Sequence, residues 1–301
     1  MHSFDYHPVS IVLPSPAKLN LFLAITGRRA DGFHDLVSVV APVEFGDTLT
    51  VEPRAHGFSL ECDEPALEID ERNLVLRAAR AFAAVAHWKG GAHFSLQKRI
   101  PTGAGLGGGS SNATTALLAL NQLAGAPLSL EALTAVAAQI GSDCALFLSG
   151  GPVVMRGRGE QVQPLPPQAA DRLRGRPVLI FKPAFCIGTA WAYQQLAAGA
   201  PTGYLPAREA EALVEGWIDH ATAPAEELLF NNMEAPAFSK FVALPVLLDR
   251  LREDFGLQPR MSGSGSACFA LLPETAPVAA ITGKIRECWG PDAFVAETRL
   301  A

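Results

Sequence analysis

The run Lys98-Arg-Ile-Pro-Thr-Gly-Ala-Gly-Leu-Gly-Gly-Gly-Ser-Ser-Asn112 sets five glycines and two serines directly ahead of an apolar helical pattern, Ala113 to Leu123. Glycine accepts positive φ and lets a ligand approach the backbone without meeting a Cβ. A helix start adds free N–H groups and the positive end of the helix dipole, so the combination suits a phosphate chain. Gly103, Gly105, Leu106, Gly107, Gly108, Gly109, Ser110 and Ser111 would line such a cradle.

Three commoner loops compete with that reading. A Walker loop carries a lysine before its Ser or Thr, and here Ser110-Ser111 follow the glycines without one. Gly103, Gly105 and Gly108 do spell G-x-G-x-x-G. The dinucleotide fingerprint, however, also needs a buried strand before it and an acid closing the next strand. The preceding stretch, His93–Ile100, alternates like a half-exposed strand of an antiparallel sheet. The first acid beyond the helix is Glu131, which opens a second helix over 129–140. A flexible glycine linker would not abut so regular a helix. The expectation is a triphosphate cradle.

Elsewhere, Lys18 and Asn20 lie two apart in the apolar run Pro16–Leu23. In a strand they share one face, which is either solvated or turned toward a common polar destination. Asp143 follows Gly141-Ser142 and precedes an apolar segment, the position of a general base or of an ordinary turn or capping aspartate. Arg260-Met-Ser-Gly-Ser-Gly-Ser266 is a second small-residue loop, able to offer hydroxyl and backbone donors to an anion.

The elements that must position these groups follow from periodicity. Strands are expected at Val9–Leu13, Leu19–Ile25, Leu36–Phe45, Thr48–Glu52 and Phe58–Cys62, with turns at Ala30-Asp31-Gly32 and Gly46-Asp47. A helix at 72–87 and a strand at 92–99 lead into the loop; helices at 110–123 and 129–140 follow, with Gly141 as cap. Strands at Ala145–Leu148 and Val153–Arg156 would close a first domain. Pro164-Leu-Pro-Pro167 is the expected boundary, giving domains 1–163 and 168–301. Beyond it come strand 178–182, helices near 189–197, 206–218, 225–233 and 242–255, strands Arg260–Ser262 and Ala267–Leu272, helix 278–289 and strand 293–298. Strands interleaved with helices indicate an α+β fold.

With 301 residues, 49% of them hydrophobic and 18% charged, the chain has enough apolar surface for two folded domains. A net charge of −6 argues against nucleic acid as a partner. Five scattered cysteines without C-x-x-C indicate reduced thiols and a cytoplasmic location, not a disulfide frame or zinc site. No apolar run reaches the roughly 20 residues that span a bilayer, and no signal peptide is evident.

Taken together, PSPAKLNLFL, RADGFH, PTGAGLGGGSSNA, GSD and MSGSGSACF occur in an order that resembles the GHMP small-molecule kinases, over nearly the whole chain. Galactokinases and mevalonate kinases tend to carry an acidic Gly-Glu-His shortly after the first motif, where this chain has Leu21-Phe-Leu23. The resemblance implies a two-domain α+β fold, its N-terminal domain like the second domain of ribosomal protein S5 and its C-terminal domain ferredoxin-like, with the active site in the cleft between them. It implies ATP with Mg2+, and a cytidine diphosphate-linked methylerythritol as the small-molecule substrate, in isoprenoid precursor synthesis. By matching position, Asp143 would be the base and Lys18 would stabilise charge. Asn73 and Lys98 would line the adenine pocket, while Asn20, Phe33, His34, Thr189 and Tyr193 would meet the substrate. No protein ligand for Mg2+ is identified, though Ser110 is the position to examine. The assembly would be a monomer or homodimer. Against the family pattern, Phe33 replaces a tyrosine, Cys144-Ala145 a Val-Pro, Ala104 a glycine, and Ser262 and Ser264 threonines.

Overall fold

The computed structural model describes residues 10–301. The strands, in chain order, are β1 Ile11–Arg28, β2 His34–Arg54, β3 Phe58–Cys62, β4 Gly91–Gln97, β5 Val153–Arg156, β6 Gln161–Pro164, β7 Pro177–Lys182, β8 Phe230–Asn231, β9 Arg260–Met261, β10 Cys268–Leu271 and β11 Phe294–Arg299. The helices are α1 Leu74–Val85, α2 Gly108–Leu123, α3 Leu130–Ile140, α4 Pro167–Asp171, α5 Thr189–Ala198, α6 Ala207–Asp219, α7 Glu234–Lys240, α8 Ala243–Phe255 and α9 Val278–Trp289.

They form two compact units interleaved along the chain. Among the described residues, the first holds those through Pro16, Gly46–Ile100 and Gly108–Leu148; the second holds Ala17–Phe45, Pro101–Gly107 and Ser149–Ala301. Pro164–Pro167, the expected boundary between family domains, marks a different division from these units. That segment lies within the second unit, where β6 pairs with β5 and Pro167 begins α4. Proline is tolerated there because the first helical N–H has no intrahelical partner to lose.

In the first unit, the second half of β2 pairs antiparallel with β4, and β4 pairs parallel with β3. The stretch expected in an antiparallel sheet thus sits in a mixed one. Helix α1 starts at Asn73, whose extended backbone and side-chain oxygen cap the Val75 amide. Its apolar stripe Val75, Leu76, Ala78, Ala79 and Phe82 is buried, and α1, α2 and α3 pack on one another. Helix α2 is buried on most of its circumference, from Ser111 through Leu117 and at Ala119 to Asn121. Small Ala, Ser and Thr side chains allow that enclosure.

In the second unit, Phe22 and Leu23 of β1 pair parallel with β8, and the first half of β2 pairs with β5. A four-stranded antiparallel sheet, ordered β11-β7-β10-β9, carries the C-terminal part. Its core joins Leu179 and Phe181 of β7 to Leu244, Leu247, Leu248 and Leu251 of α8 and to Ile281 and Ile285 of α9. Helix α8 ends on Gly256 in the left-handed conformation, which glycine adopts without a Cβ penalty.

Several expectations are corrected. The strands 9–13 and 19–25 are one, and Val9 lies outside the described residues. Gly46-Asp47 is not a turn, since β2 runs through it. Gly46 is small because a Cβ there would collide with the Ser15 carbonyl. Ala145–Leu148 is a turn of 3-10 helix, not a strand. Residues 225–233 form a 3-10 turn, Ala225–Leu228, and then β8 rather than a helix, and the short α7 after them was not foreseen.

Candidate active site

In the second unit, Lys18 and Asn20 project from one face of β1 and are 5% and 7% exposed, so the solvated alternative falls away. The Lys18 ammonium donates to Asn20 Oδ1. Asn20 Nδ2 donates to Ser38 Oγ at 3.0 Å, and the Ser38 hydroxyl donates in turn to the Phe22 carbonyl at 2.5 Å. The backbone amides of both residues reach the small-residue loops. Lys18 N donates to the Leu106 carbonyl at 3.0 Å, and Asn20 N to Ser262 Oγ at 3.3 Å.

Those loops are themselves joined. Ser262 Oγ donates to the Gly105 carbonyl at 3.1 Å, and Ala267 N to the Ala104 carbonyl at 3.0 Å. Gly105, at φ +78°, has no room for a side chain, because a Cβ would strike the Ser262 carbonyl. Ala104 is buried and is not among the positive-φ residues, so its Cβ is tolerated there. Asn231 was missed by sequence reasoning. It is buried and donates to the carbonyls of Met261 at 2.7 Å and Gly263 at 2.9 Å, fixing the second loop. The doubled Asn231-Asn232 in an apolar neighbourhood was the available signal.

The same unit carries an aromatic wall. A turn closed by Phe33 N to Asp31 Oδ1 at 3.1 Å leaves the Phe33 ring 56% exposed, with the Arg158 guanidinium 4.7 Å from its centroid. The His34 ring lies 5.0 Å from that of Tyr193 and 6.0 Å from that of Tyr204. His34 Nε2 is buried with no hydrogen-bond partner among the described residues. Burial, helped by the Arg28 charge, lowers the His34 pKa, so the ring is neutral at pH 7. Thr189 Oγ1 lies 3.0 Å from Ser264 Oγ, joining α5 to the second loop.

In the first unit, α2 begins at Gly108, so its free amides belong to the end of the glycine run. Gly108 lets that start lie close: a Cβ would be 3.1 Å from Ile100 Cγ2 and 3.2 Å from Lys98 Nζ. Lys98 is paired with Asp47, both side chains nearly inaccessible. Breaking one partner of such a buried pair typically costs about 3–5 kcal/mol. Asn73 is engaged as a cap, accepting from Val75 N at 2.9 Å and donating to the Glu68 carbonyl at 2.7 Å. Ser111 Oγ is buried without a partner among the described residues.

Asp143 follows the end of α3 and is half-buried. Thr114 Oγ1 of α2 donates to the Cys144 carbonyl at 2.7 Å, and Cys144 N to the Gly141 carbonyl at 3.1 Å. These bonds brace the turn at Cys144-Ala145, where the family resemblance implies Val-Pro. Burial pushes the Cys144 thiol up to about 11. The first unit thus groups Asp143, Ser110 and the helix start, while the second groups Lys18, Asn20, both loops and the aromatic wall.

Among the described residues, no three His, Cys, Asp or Glu side chains converge as a metal cage.

The model of the GHMP kinases N terminal domain matches residues 73–151, and that of the GHMP kinases C terminal domain matches 210–290. The chain is 36% identical over 290 residues to 4-diphosphocytidyl-2-C-methyl-D-erythritol kinase of Synechococcus elongatus, covering 92% of this chain and 91% of that one. It is 39% identical over 276 residues to the enzyme of that name from Variovorax paradoxus, covering 87% of each. A crystal structure of 4-(cytidine 5'-diphospho)-2C-methyl-D-erythritol kinase superposes with a TM-score of 0.77 at 34% identity, over 97% of this chain and all of that one. The chain therefore belongs to the GHMP kinase family, among the 4-diphosphocytidyl-2-C-methyl-D-erythritol kinases.

Proposed function

We propose that the chain transfers the γ-phosphoryl group of ATP to the 2-hydroxyl of 4-diphosphocytidyl-2-C-methyl-D-erythritol, giving the 2-phosphate and ADP, a cytoplasmic step toward isoprenoid precursors. The substrate oxygen forms the new bond to phosphorus as the bond to the ADP oxygen breaks, and the hydroxyl proton goes to Asp143. Such transfer depends on positioning and on stabilising charge on the phosphoryl oxygens. Lys18 supplies a buried cation for that charge. Gly103 to Ser111 hold the ATP phosphates through backbone amides, with Asn73 and Lys98 on the adenine side. Asn20, Thr189 and Tyr193 meet the acceptor together with Phe33 and His34. Mg2+ on the phosphates would shield their charge, with Ser110 the position to examine for a protein contact. The two family domains are assigned to 1–163 and 168–301.

One observation carries the choice of substrate. A buried, unpartnered His34 Nε2 beside the Tyr193 ring, with Phe33 exposed nearby in sequence, suits a planar base bearing polar edges. A sugar, homoserine or mevalonate has no use for it. The test is a coupled ADP-release assay with ATP·Mg and 4-diphosphocytidyl-2-C-methyl-D-erythritol, run beside galactose, homoserine and mevalonate. Turnover with the cytidine compound alone supports the proposal. Turnover with another acceptor sinks the substrate, and silence with all four sinks the kinase.

A further inference from the structure

Asp47, in the middle of β2, is 1% exposed and accepts from four donors. Oδ1 takes the backbone amides of Arg99 at 2.7 Å and Ile100 at 2.8 Å. Oδ2 takes the Lys98 ammonium and, at 2.9 Å, Asn112 Nδ2. Asn112 Oδ1 lies 3.4 Å from the same Lys98 Nζ. One carboxylate thus binds three consecutive residues, Lys98 to Ile100, shortly before the glycine loop, and a residue in the opening turns of the helix after it. A carboxylate is required because all four partners are donors and one is a cation.

We infer that Asp47 is a positioning residue of the nucleotide site: it fixes the two ends from which the glycine loop is strung and aims the Lys98 ammonium. The inference rests on the reading of that loop as the ATP cradle. Asp47→Asn would keep an oxygen for the two backbone amides but turn an NH2 toward Lys98 and Asn112. Lys98 then loses its counter-charge and the loop loses its anchor at the helix side. In Asp47→Asn/Asn112→Asp the amide and carboxylate exchange places: the new amide on β2 donates to the carboxylate now on α2, and that carboxylate accepts from Lys98.

The experiment is calorimetric ATP binding without acceptor, followed by KM for each substrate, on the wild type and both variants. Asp47→Asn is expected to weaken ATP binding about tenfold, the scale of one charge-assisted hydrogen bond, with KM for the cytidine substrate nearly unchanged. The exchanged double variant is expected to regain most of the ATP affinity. Equal loss toward both substrates, or no recovery in the double variant, would reduce Asp47 to a core hydrogen-bond hub and overturn the inference. Should Asp47→Asn fail to fold, Asn112→Ala, which leaves the Lys98 pair and both amide bonds in place, is read instead. A smaller loss of ATP affinity in that variant supports the inference, and none overturns it. A wild type that binds no ATP would remove the cradle reading itself, an outcome distinct from wild-type binding that the variants leave unaltered.

Discussion

Gly263 and Lys18 meet where a methyl group has no comfortable place: a Cβ on Gly263 would lie 3.4 Å from Lys18 Nζ and 3.3 Å from Asn20 Oδ1. Gly263 also has φ +60°, a conformation that costs an L-residue about 1–2 kcal/mol. Gly263→Ala should therefore push the ammonium off its position and lower kcat by about tenfold or more, since small misplacements at a reacting centre are amplified. Lys18→Met should lose about 10²–10³-fold in kcat, the scale of one charge-stabilising donor. Steady-state kinetics beside thermal melting separates the two effects. A Gly263→Ala enzyme with normal kcat would show that the ammonium is not held by this contact.

Asp143→Asn keeps the shape of the turn braced by Thr114 but removes the carboxylate proposed as proton acceptor. Turnover should fall by about 10²–10⁴-fold, the range for general-base catalysis, while calorimetric ATP binding stays near normal. Retained turnover would take Asp143 out of the mechanism.

His34 gives a pH dependence of definite sign. Its folded pKa lies below the ordinary 6.5 because of burial and the Arg28 charge. Below about pH 6.5 the unfolded chain takes up a proton that the fold resists. The stability present above that value is therefore lost as pH falls through the folded pKa. Melting curves should show wild type losing more stability than His34→Gln on acidification. Parallel curves would mean that the imidazole is solvated.

Phe33 and Arg158 should act on the acceptor alone. Phe33→Ala is expected to raise KM for the cytidine substrate by several-fold to tenfold, as loss of about 0.5–1.5 kcal/mol of ring contact implies. Arg158→Ala should raise it by a smaller factor, since an exposed cation–π contact is worth about 0.5–1 kcal/mol. KM for ATP should not move in either case. An equal rise in both KM values would contradict the assignment of this wall to the base.

The thiols should divide by environment. Cys186 and Cys288 are exposed, whereas Cys144 and Cys268 are buried and held as thiols. Iodoacetamide at about pH 8 requires an accessible thiolate, so peptide mapping should find the first pair alkylated in the native protein and the second only after unfolding. Early alkylation of Cys144 would show that the turn bearing Asp143 opens readily.

Where local rules govern, the sequence is legible. Helices α1, α3, α5, α6, α8 and α9 follow from apolar periodicity and caps such as Ser129 and Gly256, and they lie within two residues of expectation. Residues two apart in a strand proved to share a buried face, which is why Lys18 and Asn20 were found together. Gly46-Asp47 failed because the pair has a turn's chemistry but serves distant partners, a close backbone at Ser15 and the amides of residues 99 and 100. Ala145–Leu148 failed because a four-residue apolar run has no period of its own, and it follows Cys144, which is held by Thr114 and by the Gly141 carbonyl. Asn231 escaped notice because its amide donors serve the carbonyls of Met261 and Gly263, far away in sequence.

Strand β1 has its parallel partner β8 more than two hundred residues downstream, and the Ile25 amide is bonded to Asn232 Oδ1 across a separation of 207. A ribosome delivers the Lys18 strand early and its edge partner late. Through most of translation Leu23 and Ile25, apolar residues of the finished core, lack the partners that cover them. Loop closure over such distances is slow, so the pairing of Phe22 and Leu23 with β8 waits on the synthesis of Phe230 and Asn231. Refolding from denaturant, where the whole chain is present at once, should outpace the same event during synthesis.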